Sequence, residues 1–321
     1  MLKEQKRVNL FLDSGAFSAW SKGLEIKIEE YIQFIKDNIN YLDHYSVLDA
    51  IGDPVITLRN QGIMEAAGLS PIPCFHYGEP IKYLQSYLEK YSYISLGGMV
   101  PISTADLKVW LDMLFGKFIC DKNTGLPTCK IHGFGMTSLN LMLRYPWYSV
   151  DSTSWVMTGR FGSVMVPKFR FGKYIYDENS WKVTVSNQSP SQQNDGQHFS
   201  TFSRMEQEII LQYFEEKGFK LGKSEYREEK RKTYKLQEGE RWVNSADASA
   251  VRELVEQQGI YAPNPLLAMR DMVEIVVEPG LMNDYKQRDE LNIIYFLDLE
   301  KSLPEWPWAW TKKSPAGFGF R

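Results

Sequence analysis

The chain has 321 residues, of which 43% are apolar and 24% charged, with a formal net charge of −3. Such a balance belongs to a globular protein with enough apolar residues for one large domain or two small ones. It excludes a globally basic nucleic-acid binder, so any contact with a phosphate backbone must use a local patch. The three cysteines, Cys74, Cys120 and Cys129, form no CxxC pair and fit neither a disulfide framework nor a zinc knuckle. They point to a reducing, cytoplasmic compartment. The N-terminus has no apolar signal core and no run is long enough to cross a bilayer, so no membrane partner is expected.

Taken in order, Val8 to Leu12 is an apolar run that stops at Asp13, Ser14 and Gly15. That pattern predicts a buried strand with a carboxylate at its tip and a turn opened by glycine. Ile28, Tyr31, Ile32, Ile35 and Ile39 then recur at helical spacing. Tyr45–Asp49 predicts a second strand, and Pro54 opens a helix through Ile63, Met64 and Ala67 that Gly68 closes. Pro71–His76 predicts a third strand, followed from Pro80 by a helix carrying Ile81, Leu84 and Leu88. Tyr93–Gly98 is the fourth, with Ser103 or Thr104 capping a helix through Leu107, Leu111 and Leu114. Cys129–Gly133 and Trp147–Asp151 are the fifth and sixth, separated by a short helix capped at Ser138.

Six strand–helix units in about 150 residues imply parallel pairing. The reading preferred is an α/β fold, a TIM-like (β/α) barrel with inserted and C-terminal helical elements. A doubly wound sheet is the competitor. The strand ends carry Asp13, Asp49, His76, Gly97-Gly98, His132 and Asp151 in turn. In a barrel these groups converge at one mouth; in an open sheet only those near the switch point meet.

Beyond Asp151, Ser163–Phe171 is a candidate seventh strand, and Ser186–Ser200 a polar loop. Phe202–Glu216 predicts a helix, as does the stretch from Ser245 through Val251, Leu254 and Val255 to Gly259. Between them, Lys217–Lys235 holds eight Lys/Arg against three Glu, a net of +5, interleaved with Phe219, Tyr226 and Tyr234. This is either a solvated face or a phosphate-backbone contact through Lys223, Arg227, Lys230, Arg231 and Lys232. Met272–Val277 is apolar, and Leu291–Leu299 is a strand or buried helix able to supply a missing barrel stave. Trp306 to Trp310 is an aromatic cluster expected to pack the C-terminal segment on the core. The expected organisation is a barrel body over 1–180, a polar loop, helices and basic segment over 181–260, and a closing segment over 261–321.

Several of these residues carry a resemblance. Asp13-Ser-Gly-Ala-Phe-Ser18 resembles the Asp-Ser-Gly-Gly-Phe/Tyr-Gln motif of tRNA-guanine transglycosylases, and Val47-Leu-Asp49 that family's Phe-Asp-Glu strand end. Tyr93-Ile-Ser-Leu-Gly-Gly98 is similar to its glycine pair, and Lys130-Ile-His-Gly-Phe-Gly135 to its Leu-Met-Gly-Val-Gly-like segment. Ser149-Val-Asp-Ser-Thr-Ser-Trp155 stands where the family has its Phe-Asp-Cys nucleophile strand. The order is the same over roughly residues 8–160, and five short motifs in order are more specific than any one. Leu48-Asp-Ala-Ile-Gly-Asp-Pro54, Pro71-Ile-Pro-Cys-Phe-His76 and Leu96-Gly-Gly-Met-Val-Pro101 look like the DpdA branch. Its phage and bacterial members place 7-deazaguanines in DNA.

The resemblance implies a pentosyltransferase that exchanges guanine in double-stranded DNA for a 7-deazaguanine such as 7-cyano-7-deazaguanine, with the target base flipped from the duplex. It implies Asp151 as nucleophile of a covalent intermediate and Asp13 as general acid/base. It further implies Asp49 and His76 at the guanine-like edge, with Ser14 beside them. Gly97, Gly98 and Met99 would lie at the base carbonyl, and Phe17 and His132 would sandwich the ring. The bland alternatives are Asp49 as a helix cap, His76 as a core histidine, the glycine pair as a tight turn and His132 as a hydrogen-bonding group. The family's Cys/His zinc cluster and long N-terminal stretch have no counterpart, so no metal and no cofactor are expected, and DNA is favoured over tRNA. The rivals are the same exchange on tRNA, a glycoside hydrolase using Asp13 and Asp151, and a non-catalytic nucleic-acid-binding barrel. A homodimer is left open.

Overall fold

The computed structural model describes residues 9–136, 138–176, 178–189, 197–243, 248–257, 259–260 and 271–311. The chain divides into two compact units. One holds the chain up to Ser152 together with the stretch from Pro304, and the other runs from Thr153 to Leu303. The boundaries expected near 180 and 260 therefore both fall inside the second unit.

The first unit alternates short strands with helices: β1 (Phe11–Leu12), α1 (Ala16–Ser21), α2 (Ile28–Asn38), β2 (His44–Tyr45), α3 (Pro54–Ala66), β3 (Cys74–His76) and α4 (Ile81–Lys90). It continues with β4 (Tyr93–Gly97), α5 (Thr104–Leu114), β5 (Lys130–Gly133), α6 (Leu139–Met142) and β6 (Ser149–Val150). The helices start where the sequence places caps. Asp53 accepts the N–H groups of Val55 and Ile56 ahead of Pro54, and Ser103 accepts that of Asp106. Asp53, not Asp49, caps α3, which leaves the Asp49 carboxylate for another role.

All pairings between the named strands of this unit are parallel. β1 pairs with β2, and β3, β4, β5 and β6 form one sheet in that order. A bridge from Ser46 to Ile72 joins the two sets. The order is consecutive, without the reversal that a doubly wound sheet requires. Among the described residues the pairings do not close into a ring, but the wall curls strongly. Phe11 on β1 stacks on His132 of β5 with centroids 4.5 Å apart. Four strand spacings on a flat sheet would separate them by about 19 Å. Outside this wall lie two apolar clusters, one around Phe75, Leu84, Ile94, Leu111, Ile131 and Tyr145, the other around Ile35, Val47 and Met64. The C-terminal aromatic cluster packs on the first. Trp306 donates to the Pro146 carbonyl at 3.1 Å, and Trp310 stacks on Tyr145.

The second unit comprises α7 (Ser154–Arg160), β7 (Ser163–Val166), β8 (Lys168–Arg170), β9 (Lys173–Ile175), β10 (Trp181–Thr184), α8 (Arg204–Glu216), β11 (Lys223–Glu229), β12 (Glu240–Trp242), α9 (Ala248–Gln257), β13 (Asp271–Glu278) and α10 (Tyr285–Ser302). Its strands are antiparallel, with β7 against β10, β8 against β9, and β13 between β11 and β12. Ser163–Phe171 is thus two short antiparallel strands, not a further parallel stave. Leu291–Leu299 is helical, within α10, because Arg288, Leu291, Asn292, Tyr295 and Leu299 recur at helical spacing and are buried. The cap expected at Ser245 and residues 190–196 of the polar loop lie outside the described residues. No described helix is long and apolar enough to cross a membrane.

Candidate active site

Parallel strands in consecutive order send all their C-terminal ends to one side. Asp13 follows β1 and Asp49 lies beyond β2. His76 and Gly97 end β3 and β4, His132 is in β5, and Asp151 follows β6. Every strand-end residue expected to act on the base or the sugar is therefore in the first unit. Asp13 is exposed at the rim. Its carboxyl is nonetheless raised above the usual range, first by the protein packed around it and next by the charge of Asp49. The N–H of Gly15 opposes this, the charge of Asp151 adds to it, and the N–H of Ser14 opposes it. Asp13 is thus close enough to feel the charges of both Asp49 and Asp151.

Asp49 has both oxygens engaged. Ser14 Oγ donates to one at 2.7 Å, and His76 Nε2 is 2.9 Å from the other. The Ser14 N–H in turn donates to Ser46 Oγ at 2.9 Å. On its far side His76 Nδ1 is 2.9 Å from Glu79 Oε1, and its backbone N–H donates to Glu79 Oε2 at 3.1 Å. The side chains of His76 and Glu79 are each only 5% exposed. Burial disfavours charge on this ring and Cys74 Sγ lies 3.5 Å from Nε2, but a carboxylate on each nitrogen outweighs burial and the net pKa is raised. The Cys74 thiol is itself pushed up by complete burial, so it stays protonated and adds no charge.

Asp49, Cys74 and His76 bring three atoms of metal-ligand type within 4.8 Å of one another. The Asp49–His76 separation of 2.9 Å is a hydrogen-bond length. Two tetrahedral zinc ligands would stand about 3.4 Å apart. Glycine makes this crowding feasible. A Cβ on Gly97 would fall 2.8 Å from Cys74 Sγ and 3.0 Å from the His76 ring, and Gly98 has φ +67°. Among the described residues the N–H groups of Gly98 and Met99 meet no acceptor, and Gly98 lies against His76. The Met99 side chain itself is core.

Asp151 Oδ1 accepts the Gly135 N–H at 2.8 Å and faces His132 Nε2 at 3.5 Å. His132 Nδ1 meets Ser149 Oγ at 2.7 Å, which is 2.6 Å from the Tyr93 hydroxyl. The His132 ring is stacked on Phe11, and Phe134 meets it edge-on. Phe17 instead lies half exposed on α1 beside Trp20. Phe11 thus covers one face of the His132 ring, and the ring's Nε2 is turned to Asp151.

The basic segment is largely neutralised within its own unit. Lys223 lies 3.9 Å from Glu225. Arg227 is 3.2 Å from Glu229 and 2.6 Å from Glu240, and Arg231 is 3.5 Å from Asp271. Lys230 and Lys232 are exposed and have no acidic partner among the described residues. A cavity of about 490 Å³ lies elsewhere, at the N-terminal ends of β2, β4 and β5, lined by His44, Tyr93 and Lys130 among others. None of the strand-end carboxylates lines it, so this cavity and the strand-end carboxylates are at opposite ends of the wall.

Comparison with family models, with curated proteins and with solved structures finds no match for this chain. The site's description therefore rests on its own residues, and several were not singled out from sequence. Phe11 precedes Asp13 by two positions and Ser149 precedes Asp151 by two, and strand alternation puts such pairs on one face. Tyr93 and Gly97 share a face of β4 in the same way. Glu79, three residues after His76 and just ahead of α4, carries no comparable signal.

Proposed function

We propose that the protein is a transglycosylase that exchanges guanine in DNA for a 7-deazaguanine, with the consecutive parallel strands as the wall of a (β/α)-barrel-type site. The observation that carries this reading is the trio of carboxylates at one rim, with the Asp13 carboxyl raised first by the protein packed around it and next by the charge of Asp49, Asp151 adding to it. A carboxylic acid with a raised pKa beside an anchored carboxylate is the pair that base exchange needs. Asp151 attacks C1′ of the deoxyribose. The C1′–N9 bond breaks, its electron pair goes to N9, and Asp13 supplies the proton that the departing guanine takes. The incoming base then gives its N9 proton to Asp13, N9 attacks C1′, and the ester electron pair returns to Asp151. Asp49, held by Ser14 and His76, accepts the N–H edge of a guanine-type base, while the free N–H groups of Gly98 and Met99 receive its carbonyl.

Duplex DNA carrying radiolabelled guanine, incubated with and without 7-cyano-7-deazaguanine, tests the reading. The expected result is guanine release that requires the deazapurine and is abolished, along with the covalent protein–DNA adduct, in Asp151→Ala. Release from tRNA but not from DNA overturns the substrate, and release from neither overturns the activity.

A further inference from the structure

His132 is 3% exposed, and its Nε2 has no hydrogen-bond partner among the described residues. That atom faces Asp151 Oδ1 at 3.5 Å, beyond ordinary hydrogen-bond length. A lone pair on Nε2 would point at a carboxylate and be repelled, whereas an N–H there is attracted. With the proton on Nε2, Nδ1 accepts from the Ser149 hydroxyl and Ser149 accepts from Tyr93. The far end of this chain suits that direction. Burial, relieved in part by Ser149 and reinforced by Tyr148, pushes the Tyr93 phenol up to about 12, so it remains a donor at neutral pH. Phe11, stacked at an interplanar angle of 19°, and Phe134 at its edge hold the imidazole plane.

We propose that His132 is the positioning residue of the nucleophile. The Tyr93–Ser149–His132 chain fixes the Nε2–H tautomer and, together with the Gly135 N–H, holds Asp151 Oδ1 so that Oδ2 attacks. This rests on the base-exchange reading. When Oδ2 bonds to C1′, Oδ1 becomes the ester carbonyl oxygen. When the incoming N9 attacks C1′, the C1′–Oδ2 bond breaks and its electron pair returns to the carboxylate. The returning charge is shared with Oδ1, where both donors meet it. No proton passes through His132.

Two measurements test the proposal. In the full chain without DNA, a long-range 1H–15N correlation spectrum, assigned with His132→Gln, is expected to show His132 as the Nε2–H tautomer. Ser149→Ala is expected to disturb that tautomer. A ring protonated on Nδ1 alone, or one indifferent to Ser149→Ala, overturns the proposal whatever the protein catalyses. In base exchange, His132→Leu is expected to lower kcat about 100-fold, as for loss of one preorganised donor, with KM for the incoming base little changed. His132→Gln, which restores an N–H, recovers part of this loss, and Ser149→Ala lowers kcat in the same direction if His132→Leu does not fold. Unchanged kcat in folded His132→Leu, or a change confined to KM, overturns it. If the wild type exchanges no base while the tautomer and its dependence on Ser149 hold, the base-exchange reading fails and the chain that fixes the tautomer stands.

Discussion

Asp13 shows how one side chain acquires two properties from its neighbours. Surrounding protein and the charges of Asp49 and Asp151 raise its carboxyl pKa, against the N–H groups of Gly15 and Ser14. The folded chain therefore holds this proton to higher pH than the unfolded chain, whose value lies near 3.8. The cost to stability is absent below the unfolded value. It sets in as pH rises past the unfolded value and is complete above the folded value. Asp13→Asn is expected to lower base exchange about 100- to 10,000-fold, as for a lost general acid/base. It is also expected to melt no lower than wild type at pH 7, with the difference vanishing in acid. Thermal melts across pH check this, and a variant clearly less stable at pH 7 would refute it. The strand-end position made Asp13, Asp49 and Asp151 legible from sequence. Glu79 was not, because its part depends on a fold that turns its carboxylate back onto His76.

At the scale of elements, helices were the more legible half. Pro54 and Ser103 mark helix starts chemically, through a missing donor and a hydroxyl acceptor. Strands of two to five residues carry a weaker signal, and the apolar run at Leu291–Leu299 reads either way until its buried face is seen. The glycine pair at the end of β4 is where an element constrains the site. Gly97→Ala sets a methyl 2.8 Å from Cys74 Sγ and 3.0 Å from the His76 ring. The expected loss is about 1–3 kcal/mol, as for overpacking a core, together with weaker binding of the incoming base as His76 shifts off Asp49. Denaturant unfolding and base titration report the two effects. A loss within about 0.5 kcal/mol, the range of an inert surface change, would show that the ring has room to move.

For the whole molecule, a net charge of −3 leaves any attraction to DNA to local groups. Most of the basic segment is already answered by acids, leaving Lys230, Lys232 and Lys235 without ion pairs among the described residues. The double variant Lys230→Ala/Lys232→Ala is expected to lower the salt slope of DNA binding by about 2, one phosphate contact each. Arg227→Ala is expected to loosen β11 against Glu240 instead. An unchanged slope in the double variant would move the DNA contact away from this segment. The sequence by itself determined the local periods and caps. It also determined the ordered series of polar strand ends from Asp13 to Asp151, because helix and strand repeats are short-range properties of the chain. Only the tertiary structure decided what each group meets. Phe11 covers His132, Glu79 and Asp49 bracket His76, and Glu240 and Asp271 answer Arg227 and Arg231. Stacking and charge pairing depend on distance through space, and distance along the chain does not specify it.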